Sequence, residues 1–114
     1  MPERRRQKRR HLIYYLEVFD DATDRLIGHV VDMTVKGIML MSEEPFELNS
    51  TLRLRIDLPA KTRGKTQLKF DATSLWTRKD VNPDYHCTGF ELHDVSLDDL
   101  NTIKRVIARF KFKD

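Results

Sequence analysis

The sequence predicts a mainly β domain in which six short strands form an antiparallel barrel or sandwich and one C-terminal helix follows. Three observations support this fold class. Segments rich in β-branched and aromatic residues recur at short intervals with turn residues between them, and residues 52–58 alternate strictly between apolar and charged. After residue 96 the apolar spacing changes to three or four. A chain of 114 residues is expected to form one domain around one core.

The first three predicted strands are short. Residues 11–19 are rich in Leu, Ile, Tyr and Val, and they end at the turn sequence 20–24, which holds three aspartates. Residues 26–33 form the second predicted strand, and residues 37–41 form the third, which ends at the polar segment 42–45. These short intervals favour antiparallel neighbours rather than alternating strands and helices.

The last three predicted strands carry the clearest periodicity. Residues 52–58 place four aliphatic side chains on one face, and Pro59 is expected to end this strand. Residues 67–76 form a longer strand, and residues 85–92 form the sixth. In the fifth strand the apolar residues at even spacing are Leu68, Phe70, Ala72 and Trp76. In the sixth, the single cysteine, Cys87, is expected to be a small buried side chain rather than a nucleophile.

The C-terminal segment is predicted to be a helix of about 14 residues. Its apolar residues are three or four positions apart: Leu100, Ile103, Ile107 and Phe110. Ser96 is suited to cap the first turn, and Asp99 follows it by three residues, as a capping pair requires.

Positive charge is concentrated at the N-terminus. Residues 1–10 hold five arginines and one lysine against Glu3, a net charge of +5, whereas residues 11–114 hold fifteen Lys/Arg against seventeen Asp/Glu, a net of −2. We therefore expect a flexible basic arm, 1–10, followed by a folded domain, 11–114. Arginine presents a planar set of N–H donors that suits phosphate or the O6/N7 edge of guanine. The arm by itself indicates either a phosphorylated partner or a solvated tail whose charges aid solubility.

Several function classes find no support in the sequence. The nucleophile, zinc-protease and phosphate-loop motifs are absent, and the four histidines lack metal-ligand spacing. The cluster of Asp20, Asp21 and Asp24 lacks the pattern of a calcium loop and is typical of a hairpin turn. No apolar run is long enough to span a bilayer, and the basic N-terminus is not followed by the apolar region that a secretory signal requires. We expect a cytoplasmic, non-enzymatic binding protein with no metal or cofactor.

Two short motifs together resemble the PilZ domain, a bacterial family that binds the second messenger cyclic di-GMP. The family pattern is Arg-x-x-x-Arg, followed after roughly twenty residues by Asp or Asn-x-Ser-x-x-Gly. Arg6 and Arg10 supply the first element, although the arginines at 5 and 9 also fit its spacing. Asp32, Thr34 and Gly37 supply the second, with threonine where serine is usual. The similarity extends over about residues 4–110.

The resemblance implies a six-stranded antiparallel β-barrel followed by a helix, and it implies a ligand site. Arg6 and Arg10, with Arg5 as a third, would reach the phosphates or the guanine edge of cyclic di-GMP. Asp32 would accept guanine N–H groups or orient Arg10, and Thr34 would hydrogen-bond a base or a phosphate.

Two further residues have alternative interpretations. In the first interpretation, Gly37 allows the backbone to adopt a positive φ or to approach the ligand closely. In the second, it simply belongs to the turn between the second and third strands. Trp76 would either form a wall of the site or, as its even spacing favours, belong to the core.

The function expected from the resemblance is a single-domain cyclic di-GMP receptor or adaptor that changes its surface for a downstream protein effector when ligand binds. One alternative is a module that binds RNA or DNA through the arm, which the acidic body of the chain disfavours. The other is a ligand-independent adaptor with the same fold. The intact arginine motif argues against it.

Overall fold

The computed structural model describes residues 16–110, which form one closed β-barrel and one helix. The barrel order is β1-β2-β3-β6-β5-β4, and all six pairs of neighbouring strands are antiparallel. The elements are β1 (Glu17–Asp20), β2 (Arg25–Met33), β3 (Gly37–Ser42), β4 (Thr51–Thr62), β5 (Lys65–Lys79), β6 (His86–His93) and α1 (Leu97–Phe110). The predicted barrel and C-terminal helix are confirmed. The basic arm and residues 11–15 of the first predicted strand lie outside the described residues.

The β4–β5 hairpin is longer than its sequence pattern indicates. The prediction that Pro59 ends the fourth strand is wrong, because β4 continues through Pro59 to Thr62. Pairing is regular as far as Asp57 opposite Gln67 and then shifts before Thr62 meets Lys65. Proline has no N–H to donate, and this irregular stretch of the ladder is a place where a strand tolerates it.

A second irregularity, in β5, overturns the assignment of Trp76 to the core. Ser74 lies opposite Phe90, but Trp76 lies opposite Gly89, so Leu75 is an extra residue that shifts the register. An extra residue reverses which of the following side chains point inward. Ser74 is fully buried, whereas Trp76 is 38% exposed on the outer face of the barrel.

The core fills the barrel and extends under the helix. The alternation predicted for β4 is confirmed by Leu54 and Ile56, both fully buried, and Cys87 is buried as expected. The helix contributes Ile103 and Val106, which are also fully buried. Burying each such aliphatic side chain is worth roughly 1.5 to 3 kcal/mol relative to exposure.

The start of α1 is fixed by a cap and by two cations from the β4–β5 hairpin. Ser96 Oγ accepts a hydrogen bond from the Asp99 backbone N–H at 3.1 Å, which confirms the predicted cap. Arg63 donates to the Asp98 carboxylate, the Asp98 carbonyl and the Thr102 hydroxyl at 2.9 to 3.1 Å. Lys65 Nζ lies 2.6 Å from both the Asp98 and the Asp99 carboxylates. These contacts hold the helix against the end of the hairpin.

The hairpin contacts predict that acid weakens the attachment of the helix. Hydrogen bonds from Lys65 and then Arg63 hold the pKa of Asp98 below its usual value. A carboxylate whose pKa is lower in the folded state contributes stability above its unfolded pKa, and this contribution is lost as pH falls through the folded value. We expect the free energy of unfolding to fall more between pH 7 and about pH 3 in the wild type than in Asp98→Asn. Urea titrations at both pH values measure it, and equal losses in the two proteins would contradict the assignment.

Candidate functional site

The turn between β2 and β3 is organised by Thr34. Its hydroxyl oxygen accepts hydrogen bonds from the backbone N–H groups of Lys36 and Gly37, both at 3.2 Å, and its own N–H donates to the Gly37 carbonyl at 2.8 Å. Side-chain hydroxyls stabilise turns in this way. Serine offers the same hydroxyl and would keep these contacts. The exposed Thr34 hydroxyl can also donate a hydrogen bond outward, because the one that it donates to the Gly37 carbonyl is long, at 3.5 Å.

Asp32 lies near the end of β2 with its side chain exposed. One carboxylate oxygen, Oδ1, accepts a hydrogen bond from the Met33 N–H at 2.9 Å. Within residues 16–110, no lysine or arginine forms an ion pair with Asp32. An ionised carboxylate accepts several hydrogen bonds, so Asp32 retains acceptor capacity toward solvent or a ligand.

Gly37 has a role that the sequence did not indicate. Its φ is not positive, so the expectation of a left-handed backbone is wrong, and the glycine opens β3 beside β6. A Cβ atom at this position would lie 2.8 Å from the Phe90 carbonyl oxygen. The neighbouring Lys36 carbonyl accepts from the Leu92 N–H at 3.0 Å. The turn is therefore packed against the backbone of β6, and a side chain at Gly37 has no room.

Four residues on adjacent strands form a continuous row across the outer face of the barrel, here named the Asp32–Trp76 row. Asp32 on β2 lies opposite Met39 on β3, Met39 lies opposite Gly89 on β6, and Gly89 lies opposite Trp76 on β5. Adjacent strands are about 4.8 Å apart, so the row spans roughly 14 Å. The barrel thus brings a carboxylate and an indole, 44 positions apart in sequence, to the two ends of one surface.

The indole of Trp76 lies over the backbone of Gly89. A Cβ atom at Gly89 would meet Nε1, Cε2 and Cζ2 of the indole at 2.3, 2.4 and 2.7 Å, so only glycine allows the ring to lie there. The guanidinium carbon of Arg78 lies over the ring, 4.9 Å from its centroid. The sequence analysis missed Met39 and Arg78. Arg78 could have been found from its position two residues after Trp76 on the same strand, which places both side chains on one face.

The three arginines of the predicted site, Arg5, Arg6 and Arg10, lie outside the described residues. The described chain begins beside the Asp32–Trp76 row, since the Leu16 carbonyl accepts from the N–H of Val30, two residues before Asp32. No cluster of three or more potential metal ligands occurs in residues 16–110. No helix of that part of the chain combines the length and apolar character needed to cross a membrane.

A cleft of about 630 Å³ lies at the opposite ends of β2 and β3 from this row. It is lined by residues 25–29 and 41–46 together with Tyr85. Asp32, Thr34 and Gly37, which are the described members of the predicted ligand site, do not line it. The candidate site is therefore the exposed Asp32–Trp76 row and the adjoining β2–β3 turn, not this concavity.

Comparison with known families gives one match that covers most of the chain. The PilZ domain model matches residues 3–109, which include both short motifs. No curated protein sequence matches the chain.

Solved structures with the same fold include three bacterial proteins. The Bacillus subtilis inhibitor of motility MotI/DgrA has a TM-score of 0.67 at 19% identity, with 88% of this chain and 48% of that chain covered. The Escherichia coli YcgR PilZ domain with c-di-GMP has a TM-score of 0.62 at 14% identity, covering 85% and 81%. Borreliella burgdorferi PlzA in complex with c-di-GMP has a TM-score of 0.54 at 10% identity, covering 86% and 45%. The chain spans about half the length of MotI/DgrA and of PlzA.

Proposed function

The chain belongs to the PilZ domain family, and from this premise we propose that it binds cyclic di-GMP and acts as a receptor or adaptor rather than as an enzyme. Two of the similar structures, YcgR and PlzA, hold this ligand. The observation that carries the proposal for this chain is the Asp32–Trp76 row, which presents a hydrogen-bond acceptor and an exposed aromatic ring on one surface.

The row and its turn offer chemistry that complements a guanine nucleotide. Guanine carries N1–H and N2–H donors on one edge, and Asp32 is an exposed acceptor. The Thr34 hydroxyl can donate to a phosphate oxygen or to guanine O6 while it keeps the turn closed. Trp76 offers a ring on which a base can stack, worth about 1 to 3 kcal/mol per base. Gly37 keeps the turn against β6 and so positions Asp32 and Thr34.

The arginines complete the site in this proposal. Arg10 precedes Leu16 by six residues, a stretch that spans at most about 20 Å when extended. Leu16 lies beside β2 near Asp32, and this maximum length exceeds the roughly 14 Å of the row. We therefore propose that Arg10 contacts a ligand on the row and that Arg6 and Arg5 contact it as well. Guanidinium groups bind phosphates through paired hydrogen bonds and stack on purines. We assign Arg5, Arg6 and Arg10 to the phosphates and the guanine edge.

Ligand binding would then change the surface that the protein offers to a downstream partner. In this mechanism residues 1–10 act as a clamp that closes over the barrel face of domain 11–114 when cyclic di-GMP bridges the two. Ordering a segment of this kind costs a few kcal/mol, and charge-assisted hydrogen bonds of about 1.5 to 3 kcal/mol each can exceed that cost. The covered row and the ordered arm form the new surface for an effector protein.

Calorimetric titration of Asp32→Ala with cyclic di-GMP tests the proposed function. We expect at least a tenfold loss of affinity, because a charge-assisted contact is worth about 1.5 to 3 kcal/mol. The free energy of unfolding should change by no more than about 1 kcal/mol, since the side chain is exposed. The matched control is Asp84→Ala, an equal change of charge at an exposed loop position, which should bind as the wild type does.

Two further titrations separate this function from nucleic-acid binding. GTP and a short single-stranded RNA should bind more weakly than cyclic di-GMP, whose affinity should fall only modestly between about 50 and 200 mM salt. A polynucleotide that releases several counterions would lose orders of magnitude over that range. Tight, salt-sensitive RNA binding without cyclic di-GMP binding would overturn the proposal.

A further inference from the structure

We propose that Trp76 and Arg78 form a stacking subsite for one guanine base, in which the base enters between the indole and the guanidinium and Arg78 becomes its outer layer. This inference rests on the proposed function and adds to it a binding residue and a ligand-dependent rearrangement. Arg78 belongs to neither of the two sequence motifs.

The backbone fixes the position of the indole. The extra residue Leu75 turns Trp76 outward, and the absence of a side chain at Gly89 lets the ring rest on β6. Trp76 and Arg78 are two residues apart on β5, so both side chains leave the same face of the strand. The Arg78 guanidinium lies over the indole at 4.9 Å. It therefore covers a face of the ring on which a purine would stack.

Charge distinguishes Arg78 from its surroundings. Two further rows of paired residues lie beside the Asp32–Trp76 row. One consists of His29, Met41, Cys87 and Arg78, and the other of Gly37, Glu91, Thr73 and Thr51. Within these three described rows Arg78 is the only lysine or arginine. No carboxylate of residues 16–110 forms an ion pair with it. Within the described part of the chain its charge faces the indole and no carboxylate, so we expect it to be available to an anionic ligand.

The exchange of partners is physically reasonable because guanine interacts favourably with both groups. Arginine stacks on aromatic and purine faces, and its N–H donors suit the O6 and N7 atoms of guanine or a phosphate oxygen. The Arg78 side chain is exposed and has a flexible stem, so it can move outward by the thickness of one base. A base between Trp76 and Arg78 replaces one cation–π contact with two stacking contacts.

The experiment uses the full chain with cyclic di-GMP and measures both calorimetric affinity and tryptophan fluorescence. Trp76 is the only tryptophan, so its emission reports on this subsite directly. We expect Arg78→Gln to bind at least fivefold more weakly and Arg78→Lys to bind with intermediate affinity, because lysine keeps the charge but not the planar stacking surface. Lys79→Gln, an identical loss of charge at the next exposed position, is the matched control and should bind as the wild type does. Saturating ligand should quench the emission of the wild type.

The outcomes separate this inference from the proposed function. Two results would overturn the subsite and leave the receptor function standing. In the first, the wild type binds and the affinity of Arg78→Gln lies within twofold of that of Lys79→Gln. In the second, the wild type binds without any change in tryptophan emission. Failure of the wild type to bind cyclic di-GMP would overturn both. Thermal denaturation of Arg78→Gln should match the wild type, because the side chain is exposed, so a loss of affinity cannot be attributed to unfolding.

Discussion

A chain that begins at His11 is expected to fold as the full protein does and to lose cyclic di-GMP affinity by at least about a hundredfold. The truncation removes the net charge of +5 carried by residues 1–10, including Arg5, Arg6 and Arg10. Two lost charge-assisted contacts at about 1.5 to 3 kcal/mol each correspond to roughly two to four orders of magnitude in affinity. The described barrel and helix lie entirely within the part that remains. Calorimetry with cyclic di-GMP and thermal denaturation measure the two effects.

A pair of double variants separates specific contacts from net charge. Arg6→Ala with Arg10→Ala should weaken binding nearly as much as the truncation does. Arg4→Ala with Arg9→Ala removes an equal number of positive charges from the same segment and should weaken the affinity by less than about tenfold. Equal losses in the two double variants would show that the arm acts only through its total charge, which fits a polyanion better than a defined ligand.

Replacement of Gly37 by alanine is expected to destabilise the fold by roughly 1 to 3 kcal/mol, as other over-packing substitutions do. The new Cβ atom would lie 2.8 Å from the Phe90 carbonyl oxygen, and a backbone group cannot rotate away as a side-chain end can. Relief requires β3 and β6 to separate where Gly37 pairs with Glu91 and Ile38 with Phe90. Urea unfolding should show a lower midpoint with an unchanged slope.

The neighbouring turn residue supplies the control for this substitution. Lys36→Ala, at an exposed position, should change the free energy of unfolding by no more than about 0.5 kcal/mol. Gly37→Ala should also bind cyclic di-GMP more weakly, because Thr34 and Asp32 depend on the same turn. An alanine variant of full stability and reduced affinity would mean that Gly37 contacts the ligand rather than β6.

The features that the sequence predicted correctly are those that neighbouring residues determine. The alternation in β4 follows from the two-residue period of a strand, and Leu54 and Ile56 are buried as that period requires. The helix has its apolar side chains three or four residues apart, and its Ser96 cap needs only the N–H of Asp99. Asp32 and Thr34 were identified from a short motif, and both are exposed, Asp32 near the end of β2 and Thr34 in the turn that follows.

The features that the sequence did not reveal depend on which strands become neighbours. Ser74 is buried against the loop before β4, to which it is hydrogen-bonded. Its hydroxyl donates to the Glu47 carbonyl at 2.6 Å, and its carbonyl accepts from the Asn49 N–H at 2.8 Å. These contacts accompany the extra residue at Leu75 and the outward turn of Trp76.

The sequence by itself thus determined the number and order of the strands and the helix, the local motifs and the separation of charge between arm and body. Only the tertiary structure determined that Trp76 faces outward, that Gly37 makes room for Phe90, and that Asp32 and Trp76 end one row. Periodicity is set by residues a few positions apart, whereas a bulge or a close backbone approach is set by a partner strand, which can be distant in the sequence.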